Sequence, residues 1–214
     1  MKNVEDVYEL SPMQHGMLFD SITSGDTAHY DVVVVYTLRG KLDAAALVSR
    51  YLPELAASGF GDATVGQVLD MTTALDFSEN YVGGSDSFLS FARAAGVFPR
   101  PAGYAGPSSI LQFLPTIARK GNHGEAFTYR SPNTEVLGWL IARATGKRPE
   151  VVLQERIWSR LGAEADAFIA LDPSGAAVAS GGFNCRLRDL ARFGEMVRLC
   201  RALRPLGTMW SAAV

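Results

Sequence analysis

Metal-binding side chains are scarce in this sequence. Its 214 residues include two cysteines, Cys185 and Cys200, and three scattered histidines, His15, His29 and His123. Neither cysteine belongs to a CxxC pair, and His123-Gly-Glu125 does not complete HExxH. No metal or cofactor is expected, and both thiols are expected to be buried. Charge of one sign is also lacking: 20 basic residues stand against 22 acidic ones, a net charge of −2 without long runs. That argues against nucleic acid or an anionic membrane as a partner and leaves a small molecule or a protein. No apolar run approaches the roughly 18 residues that span a bilayer. The opening MKNVEDVYELSPMQ has no apolar signal core, so the expected location is the cytoplasm.

What the sequence does have is an ordinary globular composition, 48% hydrophobic, enough for one medium domain or one domain with fragments. Its most informative window is AFTYRSPNTEVLGWLIARATG, residues 126–146. Ser131 followed by Pro132 predicts a helix start, with the serine hydroxyl as cap and proline at the first helical position. Val136, Leu137, Leu140, Ile141 and Ala144 recur at helical spacing and predict a packed face, and Gly146 predicts the stop. Tyr129 then lies on the entering loop, where it either packs or aims its hydroxyl into a cleft.

Elsewhere, Ser11, Pro12 and Gln14 predict a capped helix with Met13, Met17, Leu18 and Ile22 on one face. The valine-rich run from Asp31 to Leu38 predicts a strand buried on both faces. Asp43 is expected to cap a helix through Ala44 to Tyr51, and Thr64 a short helix carrying Val65, Val68 and Leu69. TTALDFSE is expected to be a loop, and SGFG completes no phosphate-binding pattern. Helices are predicted over Ser85 to Ala95, with Phe88, Leu89 and Phe91 inward, and over Ser108 to Lys120 through Ile110, Leu111, Leu114 and Ile117. Another is predicted over Pro149 to Leu161, with Val151, Val152, Trp158 and Leu161 packed, ending at Gly162. Ala176 to Phe183 reads as a strand or close-packed loop. Asn184 is expected to cap a helix over Leu187 to Leu199 that turns Leu190, Phe193 and Val197 inward.

Two resemblances follow from these motifs. LSPMQHGMLF and VVVVYTLRGKLDAAAL resemble the beginning of a condensation domain of nonribosomal peptide synthetases, but the HHxxxDG motif on which that chemistry rests is absent. FGDATVGQVLDMTTALDFSENY, GEAFTYRSPNTEVLGWLIARATGK and SGGFNCRLRDLARFGEMV resemble, in order, the serine hydrolases of the β-lactamase and penicillin-binding-protein superfamily, closest to the 6-aminohexanoate-dimer hydrolase branch. The implied fold is α+β, a mostly helical fragment of a β-lactamase-like hydrolase preceded by a short helix–strand piece. The implied division is residues 1–47 condensation-like, 48–198 hydrolase-like and 199–214 an unmatched tail, with the join between Gly40 and Val48.

In the hydrolase family an SxxK serine attacks an amide or ester carbonyl, and its lysine and a tyrosine move the proton. By resemblance Tyr129 is that tyrosine, while Tyr81 and Asn184 match residues that contact and orient substrate. None of the four lysines, Lys2, Lys41, Lys120 and Lys147, completes SxxK, and no GxSxG is present. A phenol without a neighbouring cation is a poor base at neutral pH, and losing a catalytic unit forfeits many orders of magnitude in rate. The resemblance therefore implies ancestry in small-amide or ester hydrolysis through an acyl-enzyme, with no activity expected of this chain alone. Two other readings are a carrier- or partner-binding remnant of a condensation domain and a non-functional rearrangement product. A protein partner supplying the missing elements is a further expectation.

Overall fold

The computed structural model describes residues 42–80 and 85–202, the last four by backbone alone. The helix expected from Ser11, the strand Asp31 to Leu38, Tyr81, Cys200's side chain and residues 203–214 lie outside the described residues.

Asp43 caps a turn rather than a long helix. Its Oδ1 accepts from Ala45 N–H at 2.9 Å, and helix α1 begins only at Val48, running Val48–Tyr51. The intervening backbone is spent on a neighbour: Val48 N–H donates to Ala63 O, while Val65 and Gly66 donate to Ala46 and Ala44. Thr64 then opens α2 (Val65–Leu69) with a reciprocal capping box, accepting from Gln67 N–H while the Gln67 side chain accepts from Thr64 N–H.

The stretch after α2 is more ordered than a loop. Met71, Thr73, Leu75 and Phe77 are buried and alternate with more exposed residues, the two-residue period of an extended strand. Leu75 pairs with Arg119 in an antiparallel bridge. Asp76 N–H donates to Ala118 O, and Lys120 N–H to Ala74 O. This pairing explains why the helix expected over Ser108 to Lys120 stops early. α4 spans Ile110–Phe113, a 3₁₀ turn with Pro115 covers Leu114–Thr116, and Ile117 is already extended. Leu111, expected inward, is exposed. Gly59 of SGFG passes so close to this segment that a Cβ would lie 2.7 Å from Ala118 O, so a close backbone approach is what needs glycine there.

α3 (Asp86–Ala94) is capped by the Ser85 hydroxyl. Phe91 on it meets Phe77 and Phe113 at ring-centroid distances of 6.0 and 5.6 Å, pinning the extended segment against α3 and α4.

α5 (Ser131–Thr145) is the central helix. Val136, Leu137 and Leu140 are fully buried, and Gly146 ends it at φ 68° with its N–H on Ala142 O. α1, α2 and α6 pack on it. α6 covers Pro149–Arg156 rather than reaching Leu161. Ile157 leaves helical geometry, a 3₁₀ turn follows at Trp158–Arg160, and Gly162 adopts φ 68°. Strands β1 (Phe168–Ile169) and β2 (Phe183–Asn184) form a small antiparallel pair with Phe168 opposite Asn184.

α7 (Leu187–Ala202) closes the described chain. Its expected inward face is not covered: Leu187 and Leu190 are exposed, and Phe193 and Val197 are half-buried. Asp189 on it is fully buried, and its Oδ1 accepts from Glu164 N–H and Arg192. Among the described residues the core runs from Val48 to Val178. The whole is mostly helical with a small sheet, the α+β character expected.

Candidate active site

Tyr129 sits on the loop entering α5, as expected, with its chain neighbours fastened on both sides. Thr128 N–H donates to Met71 O at 2.8 Å. Met71 holds φ 54°, a left-handed conformation rare for a residue with a side chain. Such strain persists only where surroundings impose it, and here Met71 O takes the Thr128 amide while its Sδ receives Asn133 Nδ2 at 3.2 Å. On the other side Arg130 donates through Nη1 to Thr73 O at 2.6 Å and through Nε to Phe77 O at 3.2 Å. Burial pulls the Arg130 guanidinium below its ordinary value, against the opposing pull of Glu79.

Ser131 does not cap α5 as expected. Its hydroxyl and its N–H both donate, at 2.6 and 2.9 Å, to the two carboxylate oxygens of Glu79. Ser131 is itself the first helical residue, so its hydroxyl is past the capping position, and the acceptor comes from another segment. The Tyr129 side chain is 45% exposed, and among the described residues its hydroxyl has no hydrogen-bond partner.

Asn184 does not cap α7. It lies in β2, and its Nδ2 donates to Gly182 O at 2.9 Å. Its loop is nevertheless tied to the same central helix. Glu135, 1% exposed on α5, accepts from Ala179 N–H at 3.1 Å and from the N–H and Oγ of Ser180 at 2.9 and 2.7 Å. Burial raises the Glu135 carboxyl above its ordinary value, more than these bonds lower it, and nearby Asp172 adds to the rise. Gly182 completes the loop where a Cβ would lie 2.5 Å from Val178 O. Asp172 ties the loop to α4: its Oδ2 accepts from Ile110 N–H, and its Oδ1 from Ser174 and Ala176. Burial acts to raise this carboxyl too, but the hydrogen bonds outweigh it and hold it below the ordinary range.

Thus Tyr129 and Asn184 belong to two segments carried by α5, one at its entrance and one through Glu135. Tyr81, two residues beyond Glu79 in sequence, lies outside the described residues. Sequence reasoning missed Glu79, Thr73, Asn133 and Glu135. Asn133 carried a signal, since it falls in helical register with Val136, Leu137 and Leu140. It is buried, with Thr73 Oγ1 donating to its Oδ1 at 2.7 Å.

Three other features supply no reacting group. A cleft of about 650 Å³ opens along the second half of α5 between Trp139, Arg143, Leu111 and Ala176, and includes neither Tyr129 nor Asn184. His123 accepts from Ala74 N–H at Nδ1, and its Nε2 meets Asp62 at 3.2 Å, so its ring braces the extended segment. Cys185 is half-buried, its thiol raised by burial and by Asp189. Among the described residues no group of three or more histidine, cysteine or acidic side chains could hold a metal, and no helix is long and apolar enough to cross a membrane.

The chain is 40% identical over 158 residues to the 6-aminohexanoate-dimer hydrolase of Paenarthrobacter ureafaciens, a stretch covering 74% of this chain and 40% of that protein. A solved structure from Bacillus anthracis assigned as a 6-aminohexanoate-dimer hydrolase superposes with a TM-score of 0.73 at 28% identity, covering 86% of this chain and 48% of that one. The D-stereospecific amidohydrolase of a Streptomyces species shares the fold, with a TM-score of 0.56 at 19% identity over 88% of this chain and 61% of its own. The chain thus spans less than half the length of the first two. The family model described as Beta-lactamase matches residues 33–212, and the chain belongs to the beta-lactamase family of serine hydrolases and penicillin-binding-protein relatives.

Proposed function

We propose that this chain carries the helical half of a site for hydrolysing small amides or esters through an acyl-enzyme, with Tyr129 as its acid/base group. Tyr81 and Asn184 contact and orient the substrate. The observation that supports this best is the mounting of Tyr129: an exposed phenol whose neighbours Thr128, Arg130 and Ser131 are bonded to Met71, Thr73, Phe77 and Glu79, Met71 being the strained residue. A proton-transferring group needs that combination of access and fixed position. The names of the Paenarthrobacter ureafaciens and Bacillus anthracis relatives point to a linear amide of the 6-aminohexanoate type as the substrate class.

The chain on its own does not complete the reaction. No serine stands three residues before a lysine anywhere in it, so Tyr129 has neither the serine nor the lysine of the family's motif to work with. Purified protein incubated with a fluorescent penicillin and with a fluorophosphonate is expected to show no mass increase. A stoichiometric adduct would overturn the proposed inactivity, and the peptide carrying it would identify the nucleophile.

A further inference from the structure

We infer that Glu79 is a positioning residue for Tyr129, acting through Ser131 and the entrance of α5; the inference rests on the proposed role of that tyrosine. The Tyr129 hydroxyl has no hydrogen-bond partner among the described residues and its ring is half exposed, so the ring's place is set by its backbone. Four contacts hold the residues on either side of it. Three of them end on backbone carbonyls, those of Met71, Thr73 and Phe77. The fourth ends on a side chain, the Glu79 carboxylate, which takes the Ser131 N–H and hydroxyl with one oxygen each.

A two-oxygen grip fixes direction as well as distance. It is also matched to its location. α5 has no acidic residue in its own first turn and no side-chain cap, so Glu79 supplies the negative charge and acceptor that free amides at a helix N-terminus favour. Phe77, two residues earlier, is locked among Phe91 and Phe113. The carboxylate is therefore anchored to the core.

The test uses the full chain labelled with 3-fluorotyrosine at its seven tyrosines, the Tyr129 resonance being assigned by its loss in Tyr129→Phe. In Glu79→Ala the Tyr129 ¹⁹F resonance is expected to shift towards the random-coil position and broaden, with the Tyr51 and Tyr104 resonances unmoved and a cooperative thermal transition retained. Glu79→Asp, which keeps the carboxylate on a shorter arm, should bring it partly back. Ser131→Ala, a smaller change, should shift the same resonance in the same direction. A Tyr129 resonance unmoved in both folded variants would overturn the inference. So would a shift of all resonances together, or loss of folding in both variants, because Glu79 would then be a general structural support. The spectrum reports where the ring is held and not what it catalyses, so its failure leaves the acid/base role of Tyr129 to be decided by the labelling experiment.

Discussion

Glu135 combines two opposed demands in one side chain. Its three donors, all from Ala179 and Ser180, favour the ionised form, while burial and the neighbouring Asp172 disfavour it, and the balance raises the carboxyl above 4.5. A carboxyl raised on folding binds its proton more tightly in the native state, so its stabilising effect is fully present below the ordinary carboxylate range and is lost as pH rises through the raised value. Asp172 works in the opposite sense: lowered on folding, its stabilising effect is present above 3.8 and lost as pH falls below it. The melting temperature of the native chain minus that of Glu135→Gln, which cannot titrate, should therefore be largest near pH 4 and shrink as pH rises above 4.5. Differential scanning fluorimetry across pH 4 to 8 measures it. A difference that is flat, or that grows with pH, would show that Glu135 is not raised.

At the scale of elements, α5 and α7 carry comparable apolar stripes and meet different fates. Leu140 on α5 is fully buried, whereas Leu190 on α7 is 44% exposed. Leu140→Ala should cost about 2–5 kcal/mol, lost burial plus a cavity, and Leu190→Ala no more than about 0.5 kcal/mol. Urea denaturation of the two variants distinguishes them, and equal losses would mean that α7 is packed as its stripe suggests. Helical periodicity identified both helices and the α5 stop at Gly146, because caps and spacing are local properties. It could not say which stripe would be covered, since that depends on what else packs there. Met71 to Phe77 was legible in principle: Thr73, Leu75 and Phe77 alternate with two-residue period, but polar neighbours and a short run disguised a strand-like segment as a loop. The partner of Ser131 was not legible, because Glu79 lies 52 positions away in sequence and a serine before proline reads locally as a cap. Asn184 failed for the same kind of reason, its amide being spent on Gly182 inside β2 rather than on the helix that follows.

The whole molecule poses a question of self-sufficiency, since it spans 40% of one relative and 48% of another. Nevertheless, the described core closes on itself. Its residues run from Val48 to Val178 in one cluster, and several bonds across the fold, including Thr73 to Asn133, Ile110 to Asp172 and Glu135 to Ser180, join segments more than 40 positions apart. Long-range ties of this kind make unfolding all-or-none, because no segment keeps its partners when another leaves. A chain begun at Leu42 retains every one of these contacts. It should unfold in a single transition that coincides by far-ultraviolet circular dichroism and by tryptophan fluorescence. Its midpoint should fall within about 4 °C of the full chain's, a shift that corresponds to roughly 1 kcal/mol or a little more for a domain of this size. A broad transition, or midpoints that differ between the two probes, would favour a rearrangement product that folds poorly. A sharp transition would establish residues 42–214 as a folded unit and the starting point for testing whether a second polypeptide can supply a nucleophile.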